Sequence, residues 1–307
     1  MLAVNRISRT LLYMTLCCLA MIAVVAFSAP KAHAGPNEVQ WDAKCFLAQQ
    51  QNVDPIGSYN MVPSPHLHSI MGEVITSTTQ YADLVAQNNN NCVLQGELFG
   101  ITSLDMESAS WFPPMIKSNT GEIVPLELKN RKEAYSIYYQ SGPNVAFDAV
   151  EPWPPRLGVI AGDPHATGPT YAGGREVVRW RCQARDDITM AGPHPPGKCP
   201  AGYHVGAFIF YPNCIEDGYD ASEVNDTNHL RYSNVSTGAC PAGYYHIPQI
   251  VQNIEWQTGT THGMKLSSGP LYTLHGDYLA GYFADDLQEI VSQCINDGTT
   301  CRIGNNS

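Results

Sequence analysis

The sequence predicts a β-rich α+β domain, with a β-sandwich or jelly-roll-like core, a few short helices and disulfide bracing. Three observations predict it. Apolar and polar residues alternate with period 2 in several stretches, the signature of half-buried strands. Only 15% of residues are charged, whereas Gly, Pro and Tyr number 26, 22 and 16, a loop-rich make-up unlike that of a helical cytosolic enzyme. Cysteines are abundant, and after removal of a leader their number is even.

The leader is residues 1–34. Arg6 and Arg9 form a positive start, Leu11 to Phe27 is almost wholly apolar, and Ala32-His33-Ala34 has the small-x-small pattern cut by signal peptidase. A membrane anchor is the competing reading, but the cleavage triplet and the polar run behind it favour removal. The chain is therefore expected to be secreted as a single domain, residues 35–307, not embedded in a membrane. Loss of Arg6, Arg9 and Lys31 takes the formal charge from −11 to −14. An acidic protein without basic runs repels phosphate backbones, which excludes nucleic acid as a partner.

Of ten cysteines, Cys17 and Cys18 leave with the leader. Cys45, Cys92, Cys182, Cys199, Cys214, Cys240, Cys294 and Cys301 remain, an even set that reads as disulfides in an oxidising compartment. Eight cysteines allow roughly 100 pairings, and only Cys294 with Cys301, across the Asn296-Asp297-Gly298 turn, is a local expectation. A structural zinc site is disfavoured because no Cys-x-x-Cys occurs.

Strands are expected first at Tyr135-Ile137-Tyr139, alternating with Ser136-Tyr138-Gln140. Val178-Trp180-Cys182 alternates with Val177, Arg179 and Arg181, giving one core face and one wet face. Leu157–Ala161 and Val205–Tyr211 are continuous apolar runs, read as buried strands. Ile250, Ile254 and Trp256 alternate with Val251, Asn253 and Glu255. Helices are expected at Thr79–Gln87 and Ala284–Cys294, the latter with Leu287, Ile290, Val291 and Cys294 on one face and Asp285 and Asp286 at its start. Cys199-Pro200-Ala201-Gly202-Tyr203 recurs as Cys240-Pro241-Ala242-Gly243-Tyr244, which reads as two cysteine-pinned turns entering strands.

The chemistry gathers around Ser64-Pro65-His66-Leu67-His68. In extended backbone i and i+2 share a face, so His66 and His68 present their rings side by side. His275-Gly276-Asp277 has the same spacing near the other end of the chain. The expectation is that these two pieces meet in one water-accessible hollow.

A series of motifs runs in order along the chain: Asp54-Pro55-Ile56, Ser64 to Gly72, Ser110-Trp111-Phe112-Pro113-Pro114, Tyr138-Tyr139, Gly158 to Asp163 and Trp180-Arg181-Cys182. It continues with Phe210-Tyr211-Pro212-Asn213-Cys214, Asp217-Gly218, His229-Leu230-Arg231-Tyr232, Cys240-Pro241, Ser267-Ser268-Gly269 and Leu274 to Tyr278. In that order the motifs resemble a known family, the secreted domain of unknown function DUF1996, over residues 53–294. Where the family pattern has a Trp after the cysteine that corresponds to Cys214, this chain has Ile215, which puts in doubt any role of that loop as an aromatic platform. The resemblance implies no established activity. Fusion of relatives to carbohydrate-binding modules implies a polysaccharide or cell wall as partner, by analogy alone.

Three readings stay open. A glycan-directed hydrolase or lyase would use His/Asp acid–base chemistry, with His66, His68, Asp163, His229, His275 and Asp277 as candidate catalytic residues and Asp217 as a further carboxylate. Asp163, at the end of an apolar run, is expected to be desolvated as a general acid requires; ordinary turn capping is the alternative for Asp163 and Asp277. A divalent metal held by His66, His68, His275 and Asp277 is the second reading. The third is a non-catalytic carbohydrate-binding or cell-envelope protein, with Trp111, Phe112, Trp153, Tyr138 and Tyr139 stacking on sugars and Trp180 and Trp256 in the core. Asn225-Asp226-Thr227 and Asn234-Val235-Ser236 are N-glycosylation acceptors if the host glycosylates.

Overall fold

The computed structural model describes residues 40–87, 91–94, 107–129, 132–184, 187–219, 227–282, 284–298 and 301. Residues 1–34, read from the sequence as a leader, and Asn225 lie outside the described residues, and those described belong to one unit, Pro36–Ser307. Eleven strands position the site: β1 (Gln40–Gln51), β2 (His68–Gly72), β3 (Cys92–Leu94), β4 (Ala109–Phe112), β5 (Lys132–Gln140), β6 (Gly158–Gly162), β7 (Val178–Ala184), β8 (Asp187–Gly192), β9 (His204–Phe210), β10 (Gln249–Trp256) and β11 (His275–Leu279). Their order in the sheet is β8-β7-β9-β10-β5-β1-β2-β4-β11-β6, with β3 on β1 and every pairing antiparallel.

Strand β1 makes the corner. Its first part, Gln40–Phe46, pairs with β5, and Leu47–Gln51 pairs with β2 after a bulge between Leu47 and Gln49. A bulge bends a strand and raises its local twist, which lets one long strand serve two directions of sheet. The sheet curls on itself there, and β4 and β11 come to lie across β5 and β10. Tyr139 and Tyr278 meet hydroxyl to hydroxyl at 3.1 Å, Ser110 bonds Tyr135, and Gln252 Nε2 donates to Asp277 O at 3.4 Å. The β-rich class is what the sequence predicted.

The core between the two parts follows the predicted alternation. Tyr135, Ile137 and Tyr139 face inward with Val178, Trp180 and Cys182 and with Ile250, Ile254 and Trp256, all buried. Trp180 and Trp256 stack at 5.8 Å, as expected of core tryptophans. The wet face assigned to the Arg179–Arg181 side needs correction. Arg179 is exposed, but Arg181 is buried, with Nε and Nη2 donating to Gln183 Oε1 at 2.8 and 2.6 Å and its guanidinium 3.7 Å from the Phe208 ring. A Cβ at Gly206 would lie 3.0 Å from Ile254 O and 3.1 Å from that guanidinium, so glycine there leaves the arginine its room.

Both predicted helices are present, the first shorter than predicted. Tyr81–Val85 (α1) replaces Thr79–Gln87, its start fixed by Gln80 N–H donating to Asp83 Oδ2 at 2.8 Å. Ala284–Ile290 (α2) continues as a π-helical turn over Val291–Asn296, so the predicted segment is helical but widens after one apolar face has docked. Four disulfides brace the structure: Cys45–Cys92, Cys182–Cys199, Cys214–Cys240 and the expected Cys294–Cys301. The repeated cysteine-Pro-Ala-Gly-Tyr segments are indeed turns, with Tyr203 N–H donating to Pro200 O at 3.1 Å and Tyr244 N–H to Pro241 O at 3.2 Å. Among the described residues no helix is long and apolar enough to cross a membrane.

Candidate functional site

A second, smaller core lies on the outer face of the β2-β4-β11 part of the sheet: Val53, Ile56, Ile70, Ile75, Leu84, Ala109, Trp111 and Leu279. The chain between β1 and β2 folds over this face, and the site sits at its edge. That segment is fixed by polar contacts. Ser64 N–H donates to Asn52 O at 3.0 Å, Ser64 Oγ to His66 O at 2.9 Å, and Ser267 Oγ to Leu67 O at 2.6 Å. Asp54 Oδ1 accepts from Ile56 N–H at 3.2 Å, Gly57 N–H at 2.9 Å and Trp111 Nε1–H at 3.3 Å.

The early imidazole pair and the late one converge. The rings of His66 and His68 are 4.4 Å apart, and that of His275 is 5.0 Å from His66 and 5.9 Å from His68. His66 Nε2 and His275 Nε2 are 3.2 Å apart. Ring nitrogens of all three lie within 4.8 Å of one another. His68 and His275 are buried and His66 is half-buried, so the cluster meets solvent on the His66 side.

Two of the three rings are oriented from behind. His68 Nδ1 lies 3.0 Å from Val53 O and His275 Nδ1 lies 2.8 Å from Thr273 O. A carbonyl only accepts, so each Nδ1 carries the hydrogen and each Nε2 is a bare lone pair in the neutral ring. His68 Nε2 is buried without a hydrogen-bond partner. Burial drives His68 down to about 2 and His275 down to about 4, with neighbouring imidazoles adding to both. Burial also lowers His66, partly opposed by the charge of Asp54. All three are neutral at neutral pH.

The other predicted residues fare differently. Asp277 shares the His275 face, as parity predicts, but its neighbours across the sheet are Trp111 and Ile160. It is buried, one carboxylate oxygen has no hydrogen-bond partner, and burial, then the charge of Asp54, hold it well above the carboxylate range. Its oxygens are not in the ring-nitrogen cluster, so the three-histidine, one-carboxylate set is corrected to three histidines. Asp163 is exposed at the end of β6, and the desolvation expected of it is absent. Its Oδ1 accepts from His165 N–H at 2.8 Å, the turn-capping alternative, and its charge acts on His275. Asp217 is an exposed turn residue. His229 is buried outside the cluster, stacked on Tyr219 at 3.3 Å.

The sugar-stacking set is also corrected. Trp111, Phe112, Trp153 and Tyr139 are all buried, and Tyr139 stacks on Trp41 at 4.8 Å. Tyr138, next to Tyr139 in β5, points to the opposite face, half-buried, and its hydroxyl accepts from Asn253 Nδ2 at 2.9 Å. An aromatic inside a packed core offers no face to a ligand. Asp54, which the sequence offered only within a motif, is the residue that reasoning missed. It is buried beneath His66, is raised by burial and acts electrostatically on both His66 and Asp277. Its Asp-Pro setting, a turn signal, was the available clue.

Gly162 holds His275 close. Its φ is +90°, and a Cβ there would lie 2.6 Å from Leu274 O and 2.8 Å from His275 Cα. Gly162→Ala is expected to lower stability by about 1–3 kcal/mol and to push His275 out of the cluster. Urea denaturation reads the first effect and the His275 imidazole NMR shifts the second. Unchanged shifts would remove Gly162 from the account of the site.

Compared with known proteins, the chain matches one family profile, Domain of unknown function (DUF1996), over residues 54–282. No curated protein and no solved structure matches it.

Proposed function

The chain belongs to the DUF1996 family, and from that premise we propose that it is a secreted, glycan-directed hydrolase or lyase whose reacting centre is His66, His68 and His275. One observation carries the reading: segments 209 residues apart bring neutral imidazoles to a single spot that opens to solvent at His66. A buried ring nitrogen without a partner costs free energy, and at His68 Nε2 that cost falls within a cluster of three imidazoles that opens to solvent. Asp163, exposed at the rim, supplies a carboxylate beside the imidazoles, and the pair of types is what acid–base cleavage of a glycan needs.

The leader and four disulfides fit export to an oxidising compartment. An acidic domain, residues 35–307, acting on a polysaccharide or cell wall accommodates the charge. A binding module without catalysis is the weaker alternative, because its proposed platform, Trp111, Phe112 and Trp153, is inside the protein.

The test is a polysaccharide degradation screen of the mature protein and of His66→Ala. Reducing ends or unsaturated products released by the wild type, and lowered at least 100-fold in the variant, are the expected result. Retention on insoluble glycans with no product from either protein would replace the enzyme by a binder.

A further inference from the structure

We propose that His66, His68 and His275 form a three-nitrogen centre for a divalent transition metal of the zinc class. The inference deepens the reading above and rests on the same cluster, but it can stand if glycans are not the substrate. Its premise is an excess of lone pairs. The carbonyls of Val53 and Thr273 fix the Nδ1–H tautomer on His68 and His275, which leaves both Nε2 atoms as acceptors. His66 can donate one N–H to His275 Nε2 across the 3.2 Å contact, and His68 Nε2 is then still buried with nothing to accept from. One cation satisfies all three nitrogens at once.

Geometry agrees with an ion. Zinc–nitrogen bonds of ~2.0–2.1 Å in a tetrahedron set neighbouring nitrogens ~3.3 Å apart, close to the 3.2 Å between His66 and His275. All three ring nitrogens lie within 4.8 Å of one another, and closing on one ion takes small shifts of His68 or His275, whose rings are 5.9 Å apart, as well as of His66, the half-buried member. Backbone carbonyls behind ligating histidines are the usual means of fixing tautomer and ring direction. Imidazoles without thiolate favour zinc, copper, iron or nickel over calcium and magnesium. Three protein ligands and an approach from solvent leave a fourth position for water or a substrate oxygen, the pattern of a catalytic rather than a structural site. Proton transfer then falls to Asp163 at the rim.

Two other groups could compete for an ion. Glu127, His204 and Glu255 gather at the sheet surface, with His204 Nδ1 3.0 Å from Glu127 Oε2, and His246 lies 3.2 Å from Cys240 Sγ within a disulfide. The first already has ionic partners and the second already has its sulfur bonded, and neither has an unpartnered buried lone pair aimed inward.

The experiment strips the mature protein with a chelator and titrates it with zinc ion alone, followed by calorimetry, metal analysis and thermal shift. One ion per chain and a rise in Tm are expected. Affinity should fall at least 100-fold in His66→Ala and be unchanged in His204→Ala. Because His66 is half-buried, its loss leaves the core intact, and His68→Ala serves as the stricter variant where circular dichroism reports a native fold. Cobalt reconstitution should give a tetrahedral visible spectrum that His66→Ala lacks. Equal affinity of wild type and His66→Ala, or binding lost in His204→Ala instead, would overturn the metal centre. Stoichiometric zinc with no glycan cleaved would leave the centre standing and remove the glycan reading; glycan cleaved by a stripped protein that takes up no zinc would do the reverse.

Discussion

Above pH ~10 the protein is expected to unfold cooperatively, losing about 7 kcal/mol of stability per pH unit. The cause is a set of five buried tyrosines, Tyr135, Tyr139, Tyr211, Tyr278 and Tyr282. Burial raises each of them above its ordinary value of 10.0. The sign follows from linkage. A group whose folded pKa exceeds its unfolded one keeps its stabilising contribution below the unfolded value and loses it as pH rises. Each tyrosine contributes about 1.4 kcal/mol per unit above ~10, and five act together. A domain stable by ~5–15 kcal/mol should therefore unfold within about two units of that point.

These tyrosines also tie the two parts of the curled sheet. Tyr278 of β11 bonds Tyr139 of β5 at 3.1 Å and Ser108 Oγ at 2.9 Å, while His275 of the same strand faces the site. Alkaline unfolding should remove the site with the sheet. Tyrosinate absorbance and far-ultraviolet circular dichroism recorded together check it. Ionisation of these five residues while the dichroism stays native would refute the linkage.

Legibility in the sequence followed the physics of each element. Strand β5 was readable because its Tyr135, Ile137 and Tyr139 face is buried and its Ser136, Tyr138 and Gln140 face is not, so the side-chain period appears directly in the residues. Strands β7 and β10 were placed by their apolar members, although Arg181 is buried and β10 is buried at every position but Asn253. Strand β11 was not: His275-Gly276-Asp277-Tyr278-Leu279 is buried throughout, and its polar members hide the pattern. Nor was β1, where Trp41, Ala43 and Cys45 alternate before a glutamine run that carries the strand round the corner. Proline and parity correctly set His66 and His68 together. Asp277 was misread because its fate is decided by Trp111 and Ile160 across the sheet, and cross-strand neighbours are not written locally. The same limit applies to disulfides. Cys294–Cys301 closes a short turn, whereas Cys45–Cys92 joins residues brought opposite one another only by the β1–β3 pairing.

Replacement of Trp111 separates the buried reading from the sugar-platform reading. Trp111 is fully buried in the small core under the His66 segment, and its Nε1–H donates to Asp54 Oδ1. Trp111→Ala is expected to cost about 3–5 kcal/mol from lost packing and cavity formation, and to deprive Asp54 of a donor in a buried place. Trp180→Ala, in the main core against Trp256, should cost a similar amount. The two variants should then diverge. Trp180 is remote in sequence and sheet order from the His66 segment, so its loss should leave zinc affinity intact at a temperature where the variant is folded. Trp111 supports that segment directly, so its loss should weaken zinc binding at least tenfold even when the rest of the sheet is native. Urea denaturation gives the stability terms, and zinc titration well below both midpoints gives the affinities. A surface aromatic would behave otherwise: its removal would change stability by no more than ~0.5 kcal/mol and abolish glycan retention. That outcome would return Trp111 to the ligand, whereas equal loss of zinc affinity in both variants would show that the small core does not govern the histidines.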